Sequence, residues 1–529
     1  MSLQERSAEA FEAAFSSVDS DGLDSARDAL TEARRRLDEP MRVAIVGQIK
    51  AGKSTMLNAL LGEELVSTGP KELTFNVNWL RYAESQSLRV HFRNGRAPEE
   101  HSLPELEALT ARREENREFL SSIRFIEVFY PNEILRSFNL IDTPGLDSHY
   151  VRDSENTLEF LGMSVADFEE STRKESSNAD AVVCLFSRSL AASDQKLVAK
   201  FQGPLLGAAT PINAIGVLTH VEGYWSPEQP DRDPLEPGRT VTSRIFGEPE
   251  ANRVFYTIAP VCSKVALGAQ TLTEGQLKTL TQLASLPSER LLQALDSVEE
   301  FAGEEAEDLS VPAVRRREVL ERLERWGVWL ACGLIRDGAT ELDALKAQLL
   351  ERSELPKLRE LLISHFGNRA LLIKLGTSLR KVKPVLREAR QASNGDAVAV
   401  REAERILERL ELKEHAFKEL DVLRTYYSDP EGAGLTPEEE KQLVEVTGEH
   451  GTSCAARLGL ANNVGTAEML AVAAERMQHW TRRSRRLAAS LTTRQLAESV
   501  TACFERIQIH VAEAQCHLEL AHRHLELEA

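Results

Sequence analysis

The spacing of apolar positions changes partway along the chain. Between residues 41 and about 265, short apolar runs alternate with stretches of helical spacing. The runs are Arg42–Val46, Val77–Tyr82, Leu88–Phe92, Phe125–Tyr130, Phe138–Ile141, Ala181–Phe186, Ala214–Leu218 and Val254–Val261. Several are continuously apolar, as expected of strands covered on both faces. Strand–helix alternation of this kind predicts a doubly wound α/β domain with a mostly parallel sheet. Past residue 265 the strand signal fades. Val319, Leu320, Leu323, Trp326, Trp329, Leu330 and Leu334 repeat at helical spacing within 313–351, and helical patterns recur over 355–391, 397–426, 437–449, 465–490 and 493–526. Asn394-Gly395, Asp429–Gly434 and Gly451 break them. Residues 1–38 predict two short helices interrupted at Asp19–Gly22 and ended by Pro40. The expected division is 1–40 as N-terminal helices, 41–265 as the α/β domain, 266–395 as its helical extension or neck, and 396–529 as a helical bundle. The N-terminal helices join that bundle or stalk.

Length and charge narrow this picture. A chain of 529 residues exceeds a single core. A net charge of -19 disfavours nucleic acid, whose phosphates need neutralising, and disfavours uniform adhesion to anionic lipid. Six cysteines, Cys184, Cys262, Cys332, Cys454, Cys503 and Cys516, form no CxxC pair and no Cys/His set of zinc spacing. They read as reduced thiols of a cytoplasmic protein. The N-terminal MSLQERSAEAFEAAF is charged from its fifth residue and does not read as a signal peptide. The uncharged run Phe201–Val221 contains Pro204 and Pro211 and predicts a loop feeding a buried strand rather than a membrane span.

Two motifs carry chemistry. Gly47-Gln-Ile-Lys-Ala-Gly52-Lys53-Ser54 fits GxxxxGK[ST] and lies between an apolar strand and a helix. In this arrangement Gly47 and Gly52 let backbone N–H groups turn inward at phosphate oxygens, and the helix N-terminus adds partial positive charge. The cradle comprises Gly47, Gln48, Lys50, Ala51, Gly52, Lys53, Ser54 and Thr55. Lys53 neutralises the β- and γ-phosphates, and the Ser54 hydroxyl binds magnesium. Further on, Asp142-Thr-Pro-Gly145 ends the apolar strand at Ile141. An Asp there holds magnesium through water, and the Gly145 amide meets the γ-phosphate.

At these residues the sequence resembles the dynamin superfamily, specifically bacterial dynamin-like GTPases. VAIVGQIKAGKSTMLNALLG is similar to their first motif, ELTFNVNWLRY to their switch I and FNLIDTPGLDS to their switch II. The resemblance implies an α/β P-loop G domain followed by a helical bundle or stalk, with GTP as substrate and Mg2+ as cofactor. It implies that Thr74 binds magnesium through its hydroxyl and the γ-phosphate through its backbone; Thr68 competes for that role. It also implies self-assembly through a G-domain dimer or oligomer, a related dynamin-like partner chain, and peripheral contact with anionic lipid at the inner face of the cell membrane.

Two departures from the family pattern matter. Where guanine is normally read by [TN]KxD, this chain has Thr219-His220-Val221-Glu222. Glu222 would supply the carboxylate on a longer arm, with His220 replacing the lysine, and both GTP and ATP stay open. Val261-Cys-Ser263-Lys264 is the candidate for the segment that places backbone amides near the base. In addition, Ile49 stands where eukaryotic dynamins place a Gln, and Leu146 where Ras-like proteins place the water-orienting Gln. Lys50 is then either an internal cation near the β/γ bridge or a solvated lysine. A nucleotide-gated switch with little hydrolysis, and an RNA-associated GTPase, are the alternatives; the acidic balance weighs against the second. Arg482–Arg486 beside Trp480 is the densest basic run. It reads either as a lipid-contacting helix or as a solvated face.

Overall fold

A computed structural model describes residues 2–19, 22–47, 51–66, 77–110, 119, 122–142, 179–187, 210–303, 309, 311–392, 397–428, 430–486 and 489–528. The chain forms two compact units, Arg42–Leu361 and Met1–Met41 with Leu362–Ala529. The division falls inside the stretch 266–395.

The first unit is built on a nine-stranded mixed sheet of order β4-β3-β5-β2-β6-β1-β7-β8-β9. The strands are β1 (Met41–Gly47), β2 (Val77–Tyr82), β3 (Ser87–Phe92), β4 (Glu99–His101), β5 (Ile123–Tyr130), β6 (Phe138–Asp142), β7 (Ala181–Ser187), β8 (Ala214–Thr219) and β9 (Ile258–Pro260). β1, β7, β8 and β9 run parallel in succession, and β2 pairs parallel with β5. β6 joins β2, and β3 joins β4 and β5, in antiparallel pairs. The fully buried runs of β6 and β8 match their continuous apolar sequence.

Two elements differ from the sequence pattern for local reasons. Of the apolar stretch Val254–Val261 only Ile258–Pro260 pairs as strand. Pro249–Val254 is helical, and Phe255 turns inward to meet Phe186 edge-on at 5.5 Å. β4 is a short, polar strand on the sheet edge, without the alternation that marks a strand in sequence. The helical stretch 313–351 divides into Ala313–Arg336 and Leu342–Arg352 around Gly338, whose φ of 108° ends the first helix. The Ser263–Thr271 helix packs on both of these and on the helix after β1. Trp326 is buried within that core, and Trp329 packs against Trp225 at 6.3 Å.

In the second unit, α1 (Leu3–Ser17) and α2 (Asp24–Asp38) pack with each other and with Ala370–Ala392 and Ala397–Lys413. α1 opens with a capping box between Ser2 and Glu5. Phe11, Leu30, Leu386 and Leu407 are among the residues sealed in this unit's core. A hairpin of Thr466–Ser484 and Leu491–Glu528 forms a further layer with His415–Ser428. Trp480 is fully buried there and donates from Nε1 to Gln442 at 3.0 Å. Its amphipathic ring is therefore unavailable to lipid, and Arg483 is drawn inward by Glu439 at 3.2 Å. Arg482, Arg485 and Arg486 stay exposed. No described helix is long and apolar enough to cross a membrane.

Candidate functional site

β1 delivers Gly47 into a confined position. A Cβ there would lie 2.9 Å from the Leu185 carbonyl oxygen and 3.1 Å from Leu185 Cβ, so only glycine lets the chain pass β7. Gly52 takes φ 80°, the left-handed conformation, and α3 (Lys53–Leu61) begins immediately after it. The Lys53 ammonium donates to the Gly47 carbonyl at 3.1 Å, bridging the two ends of the loop. Ser54 and Thr55 lie half-buried in the first turn of α3. Gln48, Ile49 and Lys50 lie outside the described residues.

The far end of α3 is held as firmly. Gly62 caps it at φ 86°. Arg359 donates to the carbonyls of Ala59 at 2.8 Å and Leu60 at 2.7 Å, and Gln270 donates to Ala59 at 2.9 Å. A cation at a helix C-terminus complements the dipole that leaves the N-terminus, at Lys53, positive. Asn58, buried within the apolar run of α3, donates to Val66 O at 2.6 Å and accepts from the Leu65 and Val66 amides. It thereby fixes the chain that enters residues 67–76. Those residues, with Thr68 and Thr74, and residues 143–178, with Gly145 and Leu146, lie outside the described structure.

β6 carries Asp142 to its last position, fully buried. Neither of its carboxylate oxygens has a hydrogen-bond partner among the described residues. Asn78, its register partner on β2, is equally buried, and both its amide atoms lack a hydrogen-bond partner of good geometry among the described residues. Burial pushes the Asp142 carboxyl up to about 6, against the pull of the Lys53 charge and the Asn78 amide. Burial lowers the Lys53 ammonium to about 8, against the pull of Asp142. A buried carboxylate in this state is stabilised by a cation that reaches it. Two open carboxylate oxygens and a serine hydroxyl at the head of α3 are hard oxygen ligands, the set a magnesium ion takes.

On the other side of the loop, the Thr219 hydroxyl lies 2.8 Å from the Ala51 carbonyl and 3.1 Å from that of Phe186, and donates to one at a time. Its hydroxyl proton is thus committed to holding the loop to β7 and β8. His220 adopts φ 57°, and its Nε2 sits 3.4 Å from where a Cβ of Gly52 would be. Its Nδ1 is 4.0 Å from Glu222, which is buried in the following turn. The Cys262 thiol is pushed up by burial and then by the charges of Glu222 and Asp233, which places Glu222 beside the Cys262–Ser263 turn. Ser263 is buried at the head of its helix. The loop, His220, Glu222 and the Ser263 turn thus line the same end of the sheet, where β1, β7 and β8 end.

Asn58, Asn78, Gln270 and Arg359 are absent from the sequence reading. For the two asparagines the signal was present: a polar residue inside an apolar helix or strand run needs a buried partner. Arg359 and Gln270 gave none, because they meet α3 only in three dimensions.

A sequence profile described as the Dynamin family matches residues 43–220. The isoniazid-induced protein IniC of Mycobacterium tuberculosis is 30% identical over 454 residues, covering 85% of this chain and 86% of that protein. Dynamin-like protein 2 of Campylobacter jejuni is 34% identical over 125 residues, 24% of this chain and 20% of its own. The bacterial dynamin-like protein of Nostoc punctiforme is 28% identical over 135 residues, 23% and 19% respectively. With the P-loop, the buried Asp142 and the mixed sheet with its helical remainder in place, this chain belongs to the dynamin superfamily as a bacterial dynamin-like protein.

Proposed function

We propose that the chain binds GTP with magnesium between the Gly47–Lys53 loop and Asp142, hydrolyses it, and couples nucleotide state to self-assembly. The observation that carries this reading is the Asp142 carboxylate, buried with no hydrogen-bond partner of good geometry among the described residues and within reach of the Lys53 charge. Magnesium, when bound, supplies the charge that offsets the β- and γ-phosphates. Asp142 and Ser54 would hold it, with Thr74 as the switch ligand. Lys53 neutralises charge that builds on the transferred phosphoryl group, and the loop amides orient its oxygens. Gly145 reports the γ-phosphate. Glu222, with His220 over the loop and Ser263 behind, reads the base; its carboxylate accepts from guanine and has no counterpart donor in adenine. Residues 41–265 form the catalytic domain, extended by the helices that follow.

Assembly through the nucleotide domains, a related partner chain and peripheral contact with anionic lipid complete the proposal. The exposed Arg482, Arg485 and Arg486 support the lipid contact. Phosphate release measured over a range of protein concentration tests the whole. Specific turnover is expected to rise with concentration and to fall on the order of 10²–10³-fold in Lys53→Ala. Turnover absent at every concentration, with GTP still bound, would instead establish the nucleotide-gated switch. Ile49 and Leu146, standing where the resemblance to dynamins and to Ras-like GTPases implies a glutamine, favour that second reading.

A further inference from the structure

The helical unit contains a buried cluster that the nucleotide chemistry does not use. Glu414 separates the Ala397–Lys413 helix from His415–Ser428, and Arg6 of α1 bridges to it at 2.6 Å. Just past this break, His415 and Glu419 share one face of the helix, four residues apart. Cys503, on the long Leu491–Glu528 helix that packs against it, completes the group. One ligand atom from each of the three lies within 4.8 Å of the others, and Glu419 and Cys503 are buried.

We propose that His415, Glu419 and Cys503 form a site for a divalent transition-metal ion of zinc's chemistry, clipping the His415–Ser428 helix to the Leu491–Glu528 helix. The first support is the His415 Nε2 atom, which is buried and has no hydrogen-bond partner among the described residues. It stands 3.7 Å from Glu419 Oε1, beyond hydrogen-bond reach. An imidazole nitrogen in this state is a ready metal ligand. The second is the donor set. Nitrogen, oxygen and sulfur together suit zinc rather than magnesium or calcium, which take oxygen alone. With metal–ligand bonds of about 2.0–2.3 Å, tetrahedral ligands sit roughly 3.5 Å apart, so small side-chain rotations close the cluster.

The charges also fit. Glu419 accepts from Arg457 at 2.6 Å, but Arg457 donates to the Val446 carbonyl at 2.9 Å as well, so it keeps a partner if Glu419 turns to the ion. Binding displaces the Cys503 thiol proton to solvent, and the thiolate and carboxylate then face the ion's two charges alongside Arg457 and Arg506, the latter 3.9 Å from Glu419. The rival arrangement is a self-sufficient Glu419–Arg457 ion pair with a neutral histidine beside it. Sequence spacing concealed the cluster because its ligands come from two helices far apart in the chain.

The test uses the full chain, stripped with chelator and kept in excess magnesium. It carries Cys516→Ser, which removes an exposed thiol beside His517. Zinc is titrated calorimetrically, and cobalt is titrated while its absorption is followed. One zinc per chain is expected, with a thiolate-to-cobalt charge-transfer band. Cys503→Ser is expected to abolish the band, and Cys503→Ser and His415→Gln each to weaken zinc on the order of 100-fold, with helical circular dichroism unchanged. No stoichiometric zinc, no thiolate band in the parent protein, or affinity unchanged in Cys503→Ser would overturn the site. If Cys503→Ser fails to fold, the parent cobalt spectrum and His415→Gln decide.

Discussion

One buried carboxylate of the sheet unit is handled unlike the buried ions of the helical unit. In the helical unit, buried ions are paired within the protein. Arg369 donates to the Val444 carbonyl at 3.1 Å and to Glu449 at 3.2 Å, Glu445 accepts from Arg476 at 2.8 Å, and Glu439 forms an ion pair with Arg483 at 3.2 Å. In the sheet unit Glu127 is paired in the same way, with Arg81 at 3.1 Å and His91 at 2.9 Å, but Asp142, equally buried, has no hydrogen-bond partner among the described residues. A buried carboxylate left in that state lowers the stability of the empty protein. Its presence therefore points to an outside partner, whereas the helical unit's ions hold helices together.

This contrast makes predictions of opposite sign. The largest effect lies in the helical unit. Arg369→Ala strands Glu449 and is expected to lower unfolding free energy by about 3–5 kcal/mol in urea titration. A smaller loss would mean that the pair is solvated. Next, Lys53→Ala is expected to reduce kcat on the order of 10²–10³-fold, about 2.7–4 kcal/mol of transition-state stabilisation, with little loss of stability. Single-turnover phosphate release measures it. Asp142→Asn is expected to abolish magnesium-dependent turnover yet stabilise the empty protein by about 1–3 kcal/mol, the reverse of Arg369→Ala.

The pH dependence sharpens the same point. The Asp142 carboxyl is raised from 3.8 to about 6 in the fold, so folding favours its protonated form. The stability it contributes is complete below pH 3.8 and is lost as pH rises through about 6, roughly 3 kcal/mol in all. Unfolding of the empty protein between pH 4 and 7 is expected to show this slope, and Asp142→Asn or saturating Mg·GTP to flatten it. The smallest effect is Thr219→Val. Loss of the hydroxyl that supports Ala51 is expected to cost about 1 kcal/mol in stability and to weaken GTP and ATP alike, as binding curves for both would show. A selective loss of GTP would instead make Thr219 a base contact.

Most strands were legible because β1, β2, β6, β7 and β8 are strongly apolar and each ends at a turn or a motif. The candidate loop and Asp142 were legible because backbone geometry imposes glycine at Gly47 and Gly52 and because a carboxylate ending an apolar strand stands out. Side-chain direction was not. Thr219 sits in the base-reading segment by sequence, yet its hydroxyl turns back to the loop. Trp480 adjoins the basic run, yet packs inward onto Gln442. Local sequence does not encode which face of a helix a neighbour will cover. Arg359, which reaches the end of α3 from the far end of the unit, and the meeting of His415 with Cys503 were hidden for the same reason.

The central claim is that Asp142 is held open for the metal of a guanine nucleotide. Calorimetric titration of GTP into the chain, with magnesium and then with chelator, tests it most directly. The account predicts one GTP per chain, an affinity at least about tenfold weaker without magnesium, and a comparable loss for ATP. No binding, or binding indifferent to magnesium, would contradict it.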